Sequence, residues 1–367
     1  MKFKIGLYQF FIIMIIFPYG SAVLFFLAPE TKQDAWIAMI VYSLGGILLQ
    51  LLYTALYYRY PQDTLVTYLP KIYGRVIGNI LGFIYIGYFA YISSRVLRDF
   101  LELIKITSLE YTPMLAIGIF FIIIIIYTVY SGIENISKTA QSFFIMIIFM
   151  PVFVWLLIVF TGGIFRVSNL KPILQNGIME VIKKGWKLIA FPYGETIVFT
   201  MIYPFVLERN KIRKVAILAI IFEGIILSLN TILLITTLGV GEASTSICPL
   251  FQVVQRINIG GIITRLDVIF VVILVVGGFY KISIFMYVSV LGVAQMTSFK
   301  NIKFLSFVFG ILILYLSQII AKNYMEHIEI GLDLVVKYVH VPLQIIVPIL
   351  TLIIVYSRDF LYYEKRG

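Results

Sequence analysis

Three ionisable side chains, Glu195, Glu223 and Lys281, stand in stretches of sequence that are otherwise continuously apolar. A charge in such a stretch is costly and marks either a ligand or ion pathway or a fixed ion pair. Glu195 is the most informative of them. It directly follows Phe191-Pro192-Tyr193-Gly194, a sequence that removes a helix hydrogen bond and relaxes the backbone. A helix restarting there would turn the positive end of its dipole toward the carboxylate. Glu195 would then hold the amine of a ligand, bind a coupling cation, or sit in a static salt bridge. Glu223, with Asn230 at i+7, suits either a pore or gate or a helix–helix hydrogen bond.

The same tetrapeptide occurs once before. Phe17-Pro18-Tyr19-Gly20 lies 174 residues upstream, again in the middle of an apolar run. A half-helix restarting at Ser21 would offer free N–H groups and a positive dipole end to a carboxylate. Ser21 either caps that restart or donates its hydroxyl. The carbonyls freed around Phe191, Tyr193, Gly194 and Glu195 would face an ammonium. A zwitterion such as an amino acid fits this pair of ends.

A third group, Arg95, Arg98, Asp99 and Glu102, falls at i, i+3, i+4 and i+7 and so shares one helical stripe. It reads as an outer-interface ladder with snorkelling arginines. Only Arg95, about 28 Å along the helix from Val76, lies deep enough to gate a site. Tyr91 and Tyr88, one turn further in, are candidate pocket walls. Catalytic and metal chemistry find no footing. His327 and His340 have no second ligand at metal spacing, the chain has one cysteine, Cys248, and no nucleophile or phosphate-loop motif occurs. No enzyme activity, cofactor, metal or nucleic-acid partner is expected.

The elements that position these residues follow from composition. The 367 residues are 61% hydrophobic and 13% charged, with a mean hydropathy of +1.01. Soluble domains run nearer 45–50% apolar and about 25% charged. The chain is therefore predicted to be an all-α integral membrane protein forming a single transmembrane domain over 1–367. Its apolar runs do not alternate, which excludes a β-barrel. About ten runs reach the roughly 20 residues that a spanning helix needs: 8–28, 35–58, 76–104, 113–130, 139–162, 187–206, 214–238, 266–292, 303–321 and 339–357 (spans 1 to 10). The first is too long for a signal peptide and ends without a small-residue cleavage site, so it reads as retained.

Ten spans place both ends on one side. With the ends inside, inner segments carry fifteen Lys and Arg and outer segments ten, five of those in the loop 163–187. The excess favours cytoplasmic termini. The formal charge of +11 divides into +10 inside, +2 outside and −1 in the membrane set (Arg95, Arg98, Arg265 and Lys281 against Asp99, Glu102, Glu195, Glu223 and Asp267). The segment 170–187 is amphipathic and is expected to lie on the outer membrane surface. The two breaks open spans 1 and 6, each the first span of a five-span half. Five is odd, so the halves (8–162 and 187–357) are oppositely oriented, and breaks at matching places in inverted halves point to a transporter-type site.

At this point the chain resembles the B subunit of GerA-type spore germinant receptors, within the amino acid–polyamine–organocation (APC) transporter superfamily. The resemblance runs nearly end to end. It rests on Asp34-Ala35-Trp36, Pro61 with Thr64-Leu65, Tyr68-Leu69-Pro70-Lys71, Leu97-Arg98-Asp99-Phe100 with Glu102, and Glu110-Tyr111-Thr112-Pro113. It continues through Asn169-Leu170-Lys171-Pro172-Ile173-Leu174 with Gly177, and Phe191-Pro192-Tyr193-Gly194-Glu195. It implies a LeuT-like 5+5 inverted-repeat fold with broken helices 1 and 6, and a site drawn from Gly20, Ser21, Ala22, Tyr91, Phe191, Tyr193, Gly194 and Glu195. Lys281, Glu223 and Arg95 would gate or couple. In that fold span 8 faces the break in span 1, where sodium sits in sodium-coupled relatives. Lys281 would stand in for that cation, or pair with Glu195 or Glu223. The first break departs from the superfamily pattern, reading Gly20-Ser21-Ala22-Val23 with alanine where a second glycine is frequent. The resemblance further implies a small germinant, an amino acid by its chemistry, A and C partner subunits, and the spore inner membrane. An autonomous amino acid transporter would use the same pocket.

Overall fold

The computed structural model describes residues 4–258 and 267–364; for Met150, residues 267–270 and residues 359–364 only the backbone is described. Lys2, Arg265, Lys365 and Arg366, which entered the charge count above, lie outside the described residues. The described chain is helical, and its only bridge between extended segments is parallel, Ile5 against Val206. There Ile5 N–H donates to the Phe205 carbonyl at 2.9 Å and Leu207 N–H donates to the Ile5 carbonyl at 3.0 Å. The lead-in to span 1 is thereby tied to the end of the 187–206 stretch.

Nine helices among the described residues are long and apolar enough to cross a membrane: Leu7–Leu24, Pro29–Arg59, Arg75–Thr107, Met114–Ser131, Ile133–Phe160, Arg209–Thr245, Val271–Met296, Ile302–Ile319 and Tyr324–Arg358. The protein is thus a multi-pass membrane protein. The sixth apolar run differs from expectation. It forms no long helix but a series of short 3-10 turns, Trp186–Ile189, Tyr193–Met201 and Tyr203–Phe205. Hydropathy counts side chains and is blind to the prolines at 192 and 204, which remove the amide hydrogens that an α-helix needs. Span 10 also begins earlier than expected, so His327 and His340 lie within a helix rather than at its edge; its middle, Ile330–Ile346, is wound as wide π-helical turns around Pro342. Of the amphipathic segment 170–187, only Ile178–Lys184 is α-helical.

Span 1 is interrupted as its sequence predicts. The α-helix Leu7–Ile16 gives way to 3-10 turns at Phe17–Gly20 and Ala22–Leu24. Between them Ser21 takes φ −171° and ψ −44°. Irregular backbone is tolerated at membrane depth only where protein surrounds it. Both interrupted stretches meet that condition, since residues 17–25 and 193–203 are buried. The outer ring is formed by Met114–Ser131, Ile133–Phe160 and Ile302–Ile319. These helices turn Phe120, Ile145 and Phe307 outward, as lipid-facing helices do.

Helix association in lipid depends on close packing more than on apolar burial, and glycines provide it at the centre. A Cβ on Gly277 of span 8 would stand 2.7 Å from the Tyr19 carbonyl oxygen, and one on Gly20 would overlap the Lys281 Cβ. Span 8 therefore lies directly against the interruption in span 1. It also packs along Arg75–Thr107, while Pro29–Arg59 packs along Arg209–Thr245.

Candidate functional site

Both interruptions converge on one side chain. Lys281, fully buried on span 8, places its ammonium 2.5 Å from Glu195 Oε2 and 2.5 Å from the Ser21 hydroxyl. The same ammonium lies 4.7 Å from the centre of the Phe17 ring and 5.4 Å from that of Phe191, so both repeated phenylalanines face it as cation–π partners. Burying an ion pair is tolerable only when geometry and further hydrogen bonds compensate for lost hydration. Ser21 and the two rings supply that compensation.

Above this pair is a cavity of about 40 Å³, lined by Ser21, Glu195, Phe191, Arg95, Asp99 and His340 among others. It has room for about three waters. Arg95, 7% exposed, donates to the His327 carbonyl and to the Tyr91 hydroxyl, the latter at 3.4 Å. Asp99 Oδ1 is 2.9 Å from His327 Nε2. Arg98 pairs with Glu102 at 2.8 Å and caps the Ser317 carbonyl at 3.1 Å. The predicted stripe therefore splits. Arg98 and Glu102 join span 3 to span 9, while Arg95 and Asp99 line the cavity.

On the other side of Phe191 lies a second cavity of about 250 Å³. Its walls include Phe25, Glu30, Lys187, Ile328, Glu329 and Asp333. Phe25, Phe191, Ile328 and Leu332 line both cavities and form an apolar septum between them. At the rim of the larger one, Lys187 bridges Asp333 at 2.8 Å and Glu30 at 3.5 Å. Lys187 has its pKa moved above the ordinary lysine value: partial burial lowers it, and hydrogen bonds and charge from Asp333 and Glu30 outweigh that.

A polar cluster supports the site from spans 2, 3 and 10. The His340 ring stacks near Phe191 at 6.4 Å. His340 Nδ1 is 2.7 Å from the Tyr88 hydroxyl and 2.7 Å from Gln344 Nε2. Tyr53 donates to the Gln344 carbonyl at 2.7 Å. Gly194 belongs here too, since a Cβ on it would overlap the Gln344 side chain. Tyr193 faces away, donating to the Met39 carbonyl at 2.7 Å. Glu223 is buried on span 7 with one carboxylate oxygen, Oε1, lacking a hydrogen-bond partner.

Of the residues singled out from sequence, Ser21, Phe191, Glu195 and Arg95 line the small cavity, and Lys281 holds two of them, Ser21 and Glu195. Gly20 makes room for Lys281. Tyr91 touches Arg95 from outside the cavity. Ala22, Tyr193 and Glu223 are buried but do not line it. Sequence reasoning passed over Asp99, His340 and Gln344 as site residues. The last two carried a signal, polar side chains at i and i+4 in an apolar run, which puts both on one face.

A sequence profile of the family described as "Spore germination protein" matches residues 4–325. Spore germination protein KB of Bacillus subtilis (strain 168) is 33% identical over 354 residues, covering 96% of this chain and 95% of its own. Spore germination protein YndE of the same organism is 28% identical, covering 99% and 98%. Spore germination protein A2, also from that organism, is 27% identical with 77% of each chain covered.

Proposed function

This chain belongs to the spore germination protein family, and from that premise we propose that it is the membrane subunit of a spore nutrient-germinant receptor. It binds a small germinant, an amino acid by its chemistry, at the two interruptions and passes the change to partner subunits of the A and C type and to ion release. The observation that carries this reading is the Lys281–Glu195–Ser21 contact beneath the small cavity. It joins both interruptions through one charged side chain, so a ligand that competes for Glu195 or Ser21 loosens the lock between them. The two halves are inverted five-span repeats, both termini are cytoplasmic, and the membrane is the spore inner membrane. Binding and conformational change, not bond chemistry, are the chain's work. Midplane binding at broken helices in inverted halves is the pattern of secondary transporters, and here it serves sensing.

The test uses the purified full chain in lipid nanodiscs with a panel of the twenty amino acids. Saturable binding of one or a few, with the same amino acids triggering germination of spores that carry the gene, supports the reading. Concentrative uptake into proteoliposomes by this chain alone would show a transporter instead.

A further inference from the structure

Among the described residues, Arg95 is a cation without an anion. It is nine-tenths buried, lines the small cavity together with Glu195 and Ser21, and pairs with no carboxylate among the described residues. The neighbouring carboxylates are engaged elsewhere: Asp99 on His327, Glu102 on Arg98 and Glu195 on Lys281. A guanidinium presents five N–H donors in a fork that fits a carboxylate. The protein uses two, for the His327 carbonyl and the Tyr91 hydroxyl. A buried, unpaired charge at membrane depth marks function, and the fold makes room for this one. A Cβ on Gly331 would overlap Arg95 Nη2, so span 10 carries its glycine where the guanidinium lies.

We infer that Arg95 is the carboxylate-binding group of the site and the residue that selects a ligand with a free carboxylate. The assignment rests on the receptor reading above and moves the anion end of the ligand away from the restart at Ser21. The Ser21 hydroxyl already accepts from Lys281, and its N–H donates to the Pro18 carbonyl at 3.3 Å. The ligand's carboxylate then meets Arg95 at one wall, and its ammonium meets Glu195 at another, in competition with Lys281.

The experiment compares L-alanine with L-alaninamide, a matched pair differing in the carboxylate, as probes of the full chain in nanodiscs; the amino acid panel supplies another acid–amide pair if a different member binds. In Arg95→Gln the acid is expected to bind at least about tenfold more weakly, the scale of one lost charge-assisted hydrogen bond. The amide should bind as in wild type, so the preference for the acid collapses. Arg95→Lys should recover part of it. Gly331→Ala, which displaces the guanidinium without deleting it, should shift the preference in the same direction and guards against a simple folding defect. Equal loss of acid and amide in folded Arg95→Gln, or no loss of either, overturns the assignment. A wild-type chain that binds no carboxylate probe overturns the receptor-site reading and this assignment with it.

Discussion

Lys281 and Glu195, 86 residues apart in sequence, form a 2.5 Å ion pair with side chains 0% and 2% exposed. Because the same ammonium also donates to Ser21, Lys281 closes the two interruptions on each other. Removing one partner of a buried pair leaves the other charge uncompensated, at a cost of about 3–5 kcal/mol. Lys281→Met and Glu195→Ala are each expected to lose that much stability, and the double replacement to lose much less than the sum. Thermal unfolding of the four proteins in one detergent measures the cycle. Additive losses would mean that the pair carries no coupling. Glu195→Gln keeps an oxygen acceptor for Lys281 and should fold, while its ligand dose–response shifts.

Gly20 is expected to tolerate no side chain. Its would-be Cβ overlaps the Lys281 Cβ, and 3.0 Å away is the Gly277 carbonyl oxygen, so the obstacle is partly backbone. Gly20→Ala should cost about 1–3 kcal/mol as an overpacking change, and Gly20→Leu should prevent the two interruptions from closing. Stability of Gly20→Ala equal to wild type would show that span 8 can retreat. Substitution at Gly87, whose Cβ would meet nothing within 4 Å, is the control.

The interruptions were legible in the sequence because proline and glycine act on their own backbone, and a repeated Phe-Pro-Tyr-Gly announces the same local event twice. Which side chains meet across them was not. Lys281 is 260 residues from Ser21, and composition leaves its choice between Glu195 and Glu223 open. The 187–206 run shows the complementary blind spot. Its apolar content equals that of a spanning helix, but its prolines and glycine wind it into short turns, and no hydropathy sum contains that information. Asp99 was misread for a related reason. Helical spacing places it on the same stripe as Arg98 and Glu102, but depth along the helix decides which of them meets span 9 and which meets the cavity.

The Lys187 clamp at the outer rim should be small in energy and insensitive to pH over the physiological range. Its partners are roughly half exposed, 47% for Glu30 and 53% for Asp333, so its net worth is under about 1 kcal/mol. The Lys187 pKa is raised in the folded protein. Its contribution is therefore complete below the unfolded lysine value of 10.5 and is lost only as pH climbs through the still higher folded value. The stability difference between wild type and Lys187→Gln should stay flat from neutral pH to that point and shrink beyond it. A difference that already fades between pH 7 and 9 would contradict the bridge.

Phe191 is expected to act as the door between the two cavities. Its ring lines both, leans on His340 at 6.4 Å and lies 5.4 Å from the Lys281 ammonium. Truncation to alanine joins the outer chamber of about 250 Å³ to the inner one of about 40 Å³. Accessibility of Ser21, at the floor of the inner chamber, reports the connection. In a Cys248→Ser background, Ser21→Cys should resist a charged, membrane-impermeant thiol reagent, because Phe25, Phe191, Ile328 and Leu332 close the way to it. Adding Phe191→Ala should make the same cysteine reactive. Loss of a buried phenylalanine costs about 3–5 kcal/mol, so labelling is to be read on protein that elutes as a single folded species. Equal protection with and without the Phe191 ring would place the entry route elsewhere, and labelling in both would mean that the septum is already open.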